Sequence, residues 1–267
     1  MSIEQNLDGV PETLLVPLWA RAVETRRSEP IIRDELAVSM VEKINYDFSK
    51  FEKAWMSQVG VSIRTELLDK AAVNFISRHP EAVVINLGCG LDTRFFRVDN
   101  GQIRWYELDL PEPIRIRREF FTETDRYRMI AQSVFDPAWV EEIGQRHEPV
   151  LIIAEGLFMY FTEQEVKELF VKLIAAFPRA EMLLEVLSPL LVKNSRHHDA
   201  VGKMNVSFQW GAASGKMVEE LNERIRFLQE WNYFDYHRER WGWLRWLSWI
   251  PAFKRNFNNK IVHLQFV

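Results

Sequence analysis

Residues 83–92 read Val-Val-Ile-Asn-Leu-Gly-Cys-Gly-Leu-Asp, and residues 105–109 read Trp-Tyr-Glu-Leu-Asp. The first run is apolar and β-branched, then breaks at Gly88-Cys89-Gly90. Apolar side chains at successive positions suit a strand covered on both faces, which implies a parallel sheet with helices above and below. Glycine lacks a Cβ and accepts positive φ, so the following loop can bring its backbone close to a ligand. The second run ends in a carboxylate, Asp109. It falls about 20 positions after Gly88, where a nucleotide-binding βαβ unit places its ribose ligand. Together the two runs constrain the chain to an α/β fold with a cofactor crevice at the strand ends.

The period of the apolar pattern changes once along the chain. Residues 11–80 are helical in pattern. Pro11 can open a helix carrying Leu14, Leu15, Leu18, Ala22 and Val23. A second apolar face runs from Ile31 to Ile44, and a third from about Ser57 to Arg78. Strand and helix then alternate, with strands expected at 82–87, 103–108, 127–131, 150–154 and 180–187. Helices are expected at 91–98, 111–121, 137–146 and 163–177, the last with a capping-box pattern from Thr162 and Glu165. Two tail strands, 225–233 and 260–267, would pair as an antiparallel edge. The expected fold class is α/β: a doubly wound Rossmann-like sheet of about seven strands, the last antiparallel. Residues 1–80 form a helical annex or lid. Residues 81–267 form the core, with a helical insertion at about 190–222.

At 267 residues and 47% hydrophobic, the chain is ample for one such domain. A net charge of −4 gives no reason to expect nucleic acid as a partner. The single cysteine, Cys89, excludes an intramolecular disulfide and a cysteine zinc cluster, and no metal is expected. The N-terminus lacks a basic region followed by an apolar stretch, and no run reaches the roughly 18–20 apolar residues of a membrane span. Residues Trp241 to Phe253 are aromatic but interrupted by Arg245, Ser248 and Pro251. They are expected to pack on the core or roof a pocket rather than lie on a membrane. A cytoplasmic protein with no membrane partner, a monomer or homodimer, is the resulting expectation.

The glycine loop has Thr93 where a dinucleotide fingerprint would carry a third Gly or Ala, and it lacks the Gly-Lys-Ser/Thr of a Walker loop. A pyrophosphate or phosphate cradle is therefore disfavoured. An ionised carboxylate can instead accept hydrogen bonds from both ribose hydroxyls. Glu107 shares a strand face with Asp109. One of the two is expected to hold the ribose, and Asp109, nearer the strand end, is preferred. Glu155 closes the apolar run 150–154. A carboxylate there needs a partner, whether a ligand ammonium, a backbone N–H or a helix N-terminus. His197-His198-Asp199 reads as a surface loop, since adjacent histidines point apart in strand or helix. Cys89 reads as a small filler, with no neighbouring base to activate it.

The chain resembles the leucine carboxyl methyltransferase family, in particular its bacterial branch of polyketide-tailoring O-methyltransferases. The resemblance is carried by Leu15–Lys43, Arg64-Thr65-Glu66-Leu67-Leu68-Asp69, Val84–Arg94, Tyr106–Pro111, Ser133–Trp139 and Ala154–Tyr160, in the same order. It covers most of residues 12–187, while the C-terminal third matches in character only. It implies a class I methyltransferase fold, S-adenosyl-L-methionine as cofactor and methyl transfer to a carboxylate of a small-molecule acid. On this resemblance Arg64 pairs with the methionine carboxylate, for which a planar guanidinium is suited. Gly88 and Gly90 form the cofactor loop, Asp109 binds ribose, and Glu155 faces the methionine part. Arg21 falls where the family places a basic cofactor contact. Gln132-Ser133 stands where many relatives carry an acidic-then-apolar pair near the adenine; the Gln carbonyl and Ser hydroxyl can still bond it. Tyr160 resembles a tyrosine near the acceptor and would orient its carboxylate. Phe208-Gln209-Trp210-Gly211 resembles lid sequence, with packing as the rival role.

A carboxylate is already ionised at neutral pH, so such a site needs positioning groups and exclusion of water rather than a general base. The alternatives are a nicotinamide oxidoreductase, weakened by the missing third glycine, and a non-catalytic S-adenosylmethionine-binding protein. Trp241, Trp243, Trp246 and Trp249 are expected to build hydrophobic wall.

Overall fold

The computed structural model describes residues 2–144, 146–194, 199–200, 204 and 206–267. Three helices, α1 (Leu15–Thr25), α2 (Glu35–Lys43) and α3 (Trp55–Arg78), precede the first strand. Strands β1 (Val83–Leu87), β2 (Arg104–Asp109), β3 (Tyr127–Ala131), β4 (Val150–Ala154) and β5 (Glu181–Val186) then alternate with α4 (Arg94–Val98), α5 (Pro111–Arg118), α6 (Ala138–Ile143) and α7 (Glu163–Ala176). After β5 come α8 (Pro189–Lys193), α9 (Gly215–Glu219), β6 (Ile225–Asn232), α10 (Leu244–Leu247), α11 (Pro251–Phe257) and β7 (Lys260–Phe266).

The seven strands form one sheet in the order β3-β2-β1-β4-β5-β7-β6. The first five run parallel, and β7 is antiparallel to both β5 and β6. Strand order reverses between β1 and β4, which places a ligand crevice beyond their C-terminal ends. The tail pair forms the antiparallel end of the sheet as expected, with β6 outermost. β7 is inserted beside β5 and buried at six of seven positions, whereas β6 is buried at one of eight. Apolar matter explains it: Ile261, Val262, Leu264 and Phe266 need cover on both faces, while the polar residues of β6 tolerate an edge.

Two apolar layers sandwich the sheet. Val84, Leu151, Ile153 and Leu183 face helices α1 to α3 through residues such as Leu18, Ile63 and Leu67. Their strand neighbours Val83, Ile152 and Leu184 point the other way, onto Trp139, Leu169 and Phe170 of α6 and α7. The N-terminal helices thus share a core with the sheet. α2 begins at Glu35, because Asp34 accepts the Ala37 N–H as N-cap at 3.0 Å. The Thr162–Glu165 capping box opens α7 as its spacing predicts. Among the described residues no helix is long and apolar enough to cross a membrane.

Candidate active site

A cavity of about 450 Å³ lies at the C-terminal ends of the parallel strands, roofed by the N-terminal helices and the C-terminal segments. The loop after β1 forms its floor. Gly88 and Gly90 take φ of +61° and +48°. The positive φ calls for glycine, and a Cβ at Gly88 would sit 2.7 Å from Leu157 Cδ1 and push that side chain aside. Arg117, wholly buried on α5, ties the loop down by donating to the carbonyls of Gly90 at 3.1 Å and Asp92 at 2.6 Å.

Asp109 ends β2 against this loop. Its oxygens accept the Gly90 N–H and the Leu110 N–H, each at 2.7 Å. Burial raises its pKa against the pull of those two amides, so hydroxyl donors from a ligand would relieve a desolvated carboxylate. Glu107, its rival for the ribose role, is fully enclosed and outside the cavity lining. It accepts from Arg117 at 2.7 Å and Asn86 Nδ2 at 2.9 Å. Two residues at about 3.3 Å each sink it beneath the loop, although it shares Asp109's face. Its role is structural, which corrects the expectation for Glu107.

Arg64 projects from α3 into the cavity between two carboxylates. Its Nε donates to Glu155 at 2.7 Å and its Nη1 to Glu185 at 2.9 and 3.1 Å. Arg94 Nη2 holds the other Glu155 oxygen at 2.7 Å. Burial would raise the Glu155 pKa, but Arg64 and Arg94 outweigh it and keep the carboxyl low and ionised. Glu185, at the end of β5, also accepts from the Gly156 N–H at 2.8 Å and the Tyr233 hydroxyl at 2.9 Å. Sequence reasoning missed Glu185, although its signal, a carboxylate ending an apolar strand, is the one that singled out Glu155. Arg21 lines the cavity, yet its donors serve Asp34 Oδ2 and the Leu91 carbonyl, both at 2.8 Å. In this geometry it ties α1 to the cofactor loop.

Beyond β3, Gln132 and Ser133 line the same cavity. Gln132 Oε1 is buried with no hydrogen-bond partner among the described residues. Ser133 Oγ accepts the Phe135 N–H at 3.3 Å. Tyr160 donates its hydroxyl to Thr13 Oγ1 at 2.9 Å, and burial pushes it up to about 12, so it remains a donor at neutral pH. Cys89 is buried, and burial pushes its thiol well up, which leaves it un-ionised.

The far wall is aromatic. Phe208 packs its ring 5.7 Å from that of Tyr160, and the Gln209 N–H donates to the Met159 carbonyl at 2.7 Å. Phe208 faces the cavity while Trp210 enters the core under Phe158, so the segment both lines and packs. Trp241 also lines the cavity. Trp243, Trp246 and Trp249 do not build wall as expected: they are 63, 66 and 69% exposed. Of the His197-His198-Asp199 motif, the histidines lie outside the described residues. Asp199 lines the cavity and accepts the Ser57 N–H at 3.1 Å and the Ser57 hydroxyl, at the start of α3.

The profile of the leucine carboxyl methyltransferase family matches residues 15–174. The tetracenomycin polyketide synthesis O-methyltransferase TcmP of Streptomyces glaucescens is 33% identical over 231 residues, spanning 86% of this chain and 85% of that protein. The S-adenosyl-L-methionine-dependent methyltransferase dpfgK of Gibberella zeae is 31% identical over 180 residues, 61% of this chain and 60% of its own length. Among solved structures, a protein of Thermobifida fusca described as a methyltransferase superposes with a TM-score of 0.59 at 11% identity, covering 92% of this chain and 93% of its own.

Proposed function

This chain belongs to the leucine carboxyl methyltransferase family and is an S-adenosylmethionine-dependent methyltransferase, and from that premise we propose that it methylates a carboxylate oxygen of a small-molecule acid. The residues present fit the cofactor end by end. Asp109 offers two oxygens to the ribose hydroxyls, and the unpaired Gln132 Oε1 suits the adenine amino group. Arg64 with Glu155 and Glu185 presents a cation between anions, complementary to an amino-acid zwitterion. Gly88 and Gly90 let backbone approach where a side chain would intrude.

When bound, the cofactor supplies a methyl group on a sulfonium, a leaving group that departs as a neutral thioether. The chain's own part is to orient the acceptor and exclude water. The observation that carries the carboxylate reading is the want of a base. Among the described residues lining the cavity there is no histidine or lysine. Both tyrosines are held protonated, Tyr160 by burial and Tyr233 by burial together with the Glu185 charge. The carboxylates are engaged: Asp92 with Arg94, Asp109 with amides, Glu155 and Glu185 with Arg64, and Asp199 with Ser57. Among the described residues a hydroxyl acceptor would find no histidine or lysine to take its proton, whereas a carboxylate needs none. Tyr160 would hold the acceptor carboxylate by exchanging its Thr13 bond for a charge-assisted one.

The test uses labelled cofactor with aromatic carboxylic acids and their phenol counterparts. The expected product is an ester, labile to mild alkali, formed at a rate that is flat across neutral pH. An alkali-stable ether, or a rate climbing about tenfold per pH unit, overturns the carboxylate reading.

A further inference from the structure

The aromatic C-terminal segment has two faces of different fate. Trp241, Leu244 and Leu247 point inward, the first two into the cavity wall. Trp243, Trp246, Trp249 and Ile250 point outward and are between 50 and 69% exposed. Trp243 and Trp246 are neighbours at i and i+3 on one helical turn. At an aromatic's ~150–250 Å² of surface, three such side chains expose about 400 Å², the size at which a patch marks an interaction site.

Charge surrounds the rings. Arg245, itself exposed, lies 4.8 Å over the Trp246 ring, and Arg238 lies 4.8 Å over Trp249 while reaching Asp235 at 3.6 Å. The chain as a whole is negative, so the two guanidinium groups over these rings run against the average. The patch also adjoins the cavity. Phe257 is 40% exposed and lines the cavity, as do Met56 and Leu110 at 37 and 43%, giving the mouth an apolar rim.

We propose that the Trp243–Ile250 surface is a membrane-docking face that seats on an anionic bilayer and sets the cavity mouth against the lipid. Indole rings with a polar N–H, flanked by guanidinium groups, match the headgroup–acyl boundary, and anionic headgroups supply the countercharge. A second copy of the chain is the poorer occupant, because a stable interface needs about 800 Å² from each partner. Docking would let an acid with an apolar body reach the cavity from the bilayer surface.

The test is co-sedimentation of the full chain with vesicles of phosphatidylcholine alone or mixed with phosphatidylglycerol. Lipids with brominated acyl chains report indole insertion by quenching. Binding is expected with the anionic vesicles, weaker without them, and reduced on the order of tenfold or more in a Trp246→Ser/Trp249→Ser variant. Neither residue lines the cavity, so unchanged S-adenosylhomocysteine affinity certifies the fold of that variant. No sedimentation with either vesicle, or equal binding by the variant, overturns the proposal. So does a concentration-dependent dimer, seen by light scattering and abolished in the variant, without vesicle binding.

Discussion

Gln132 offers a test in which stability and affinity move in opposite directions. Its Oε1 is buried without a donor among the described residues, and an unsatisfied buried acceptor costs about 1–3 kcal/mol. Methionine has a similar length and volume and no such acceptor. Ligand-free Gln132→Met is therefore expected to be as stable as the wild type or about 1 kcal/mol more so, a rise in Tm of roughly 2–4 °C for a chain of this size. Losing the acceptor for the adenine amino group should weaken S-adenosylhomocysteine by about 1.4 kcal/mol, or tenfold. Urea unfolding with and without ligand reads both effects. At ligand about 100-fold above the wild-type Kd, mass action adds ~2.7 kcal/mol to the wild type, and ~1.4 kcal/mol to a variant that binds tenfold more weakly. The variant should lead without ligand and lose that lead with it. Most substitutions destabilise, so the sign is discriminating. A ligand-free loss above about 1 kcal/mol together with an unchanged ligand increment refutes the reasoning.

Asp109→Ala should weaken S-adenosylhomocysteine by about 3 kcal/mol, on the order of 100-fold in Kd, since two charge-assisted bonds are lost. Calorimetric affinity within threefold of wild type would sink the ribose assignment. Gly88→Ala forces a side chain into positive φ and onto Leu157, and should cost about 2–3 kcal/mol in urea unfolding. Adding Leu157→Ala should recover part of that loss, and no recovery would mean that the contact is not the cause. Burial pushes Glu107 up to about 7 despite Arg117, so the folded protein keeps a proton there that the unfolded chain releases near the ordinary glutamate value. That contribution to stability is complete below about 4.3 and is lost as pH rises through about 7, on the order of 4 kcal/mol in all. Glu107→Gln should flatten the decline between pH 5 and 7, and an unaltered slope in denaturation curves would exclude Glu107 as its source.

Legibility followed locality. The strands could be read because continuous apolar, β-branched runs bounded by glycine or polar residues have few other homes, and the Thr162 cap because its chemistry spans three residues. The glycine loop and Asp109 were legible for the same reason. Glu107 misled because alternation reports which face a side chain takes but not how deep it lies, and two residues of depth separate a cavity carboxylate from a buried one. Arg21 was found as a cation near the cofactor loop, but its engagement with Asp34 and Leu91 depends on how α1 docks. The tryptophans misled because apolar character says that burial is favourable, not that a partner surface exists.

By itself, then, the sequence determined the alternating sheet, the loop that must be glycine, and the carboxylate at the end of the second strand. Each rests on backbone sterics or on periodicity within a few residues. Only the tertiary structure decided which charges pair. Arg64 meets Glu155 and Glu185 from distant elements, Tyr233 completes the cluster, and Asp199 closes on Ser57. It also put β7 inside β6 and left three tryptophans facing outward. These outcomes depend on through-space distance and on which surfaces remain uncovered once the core has formed, and no local pattern encodes either.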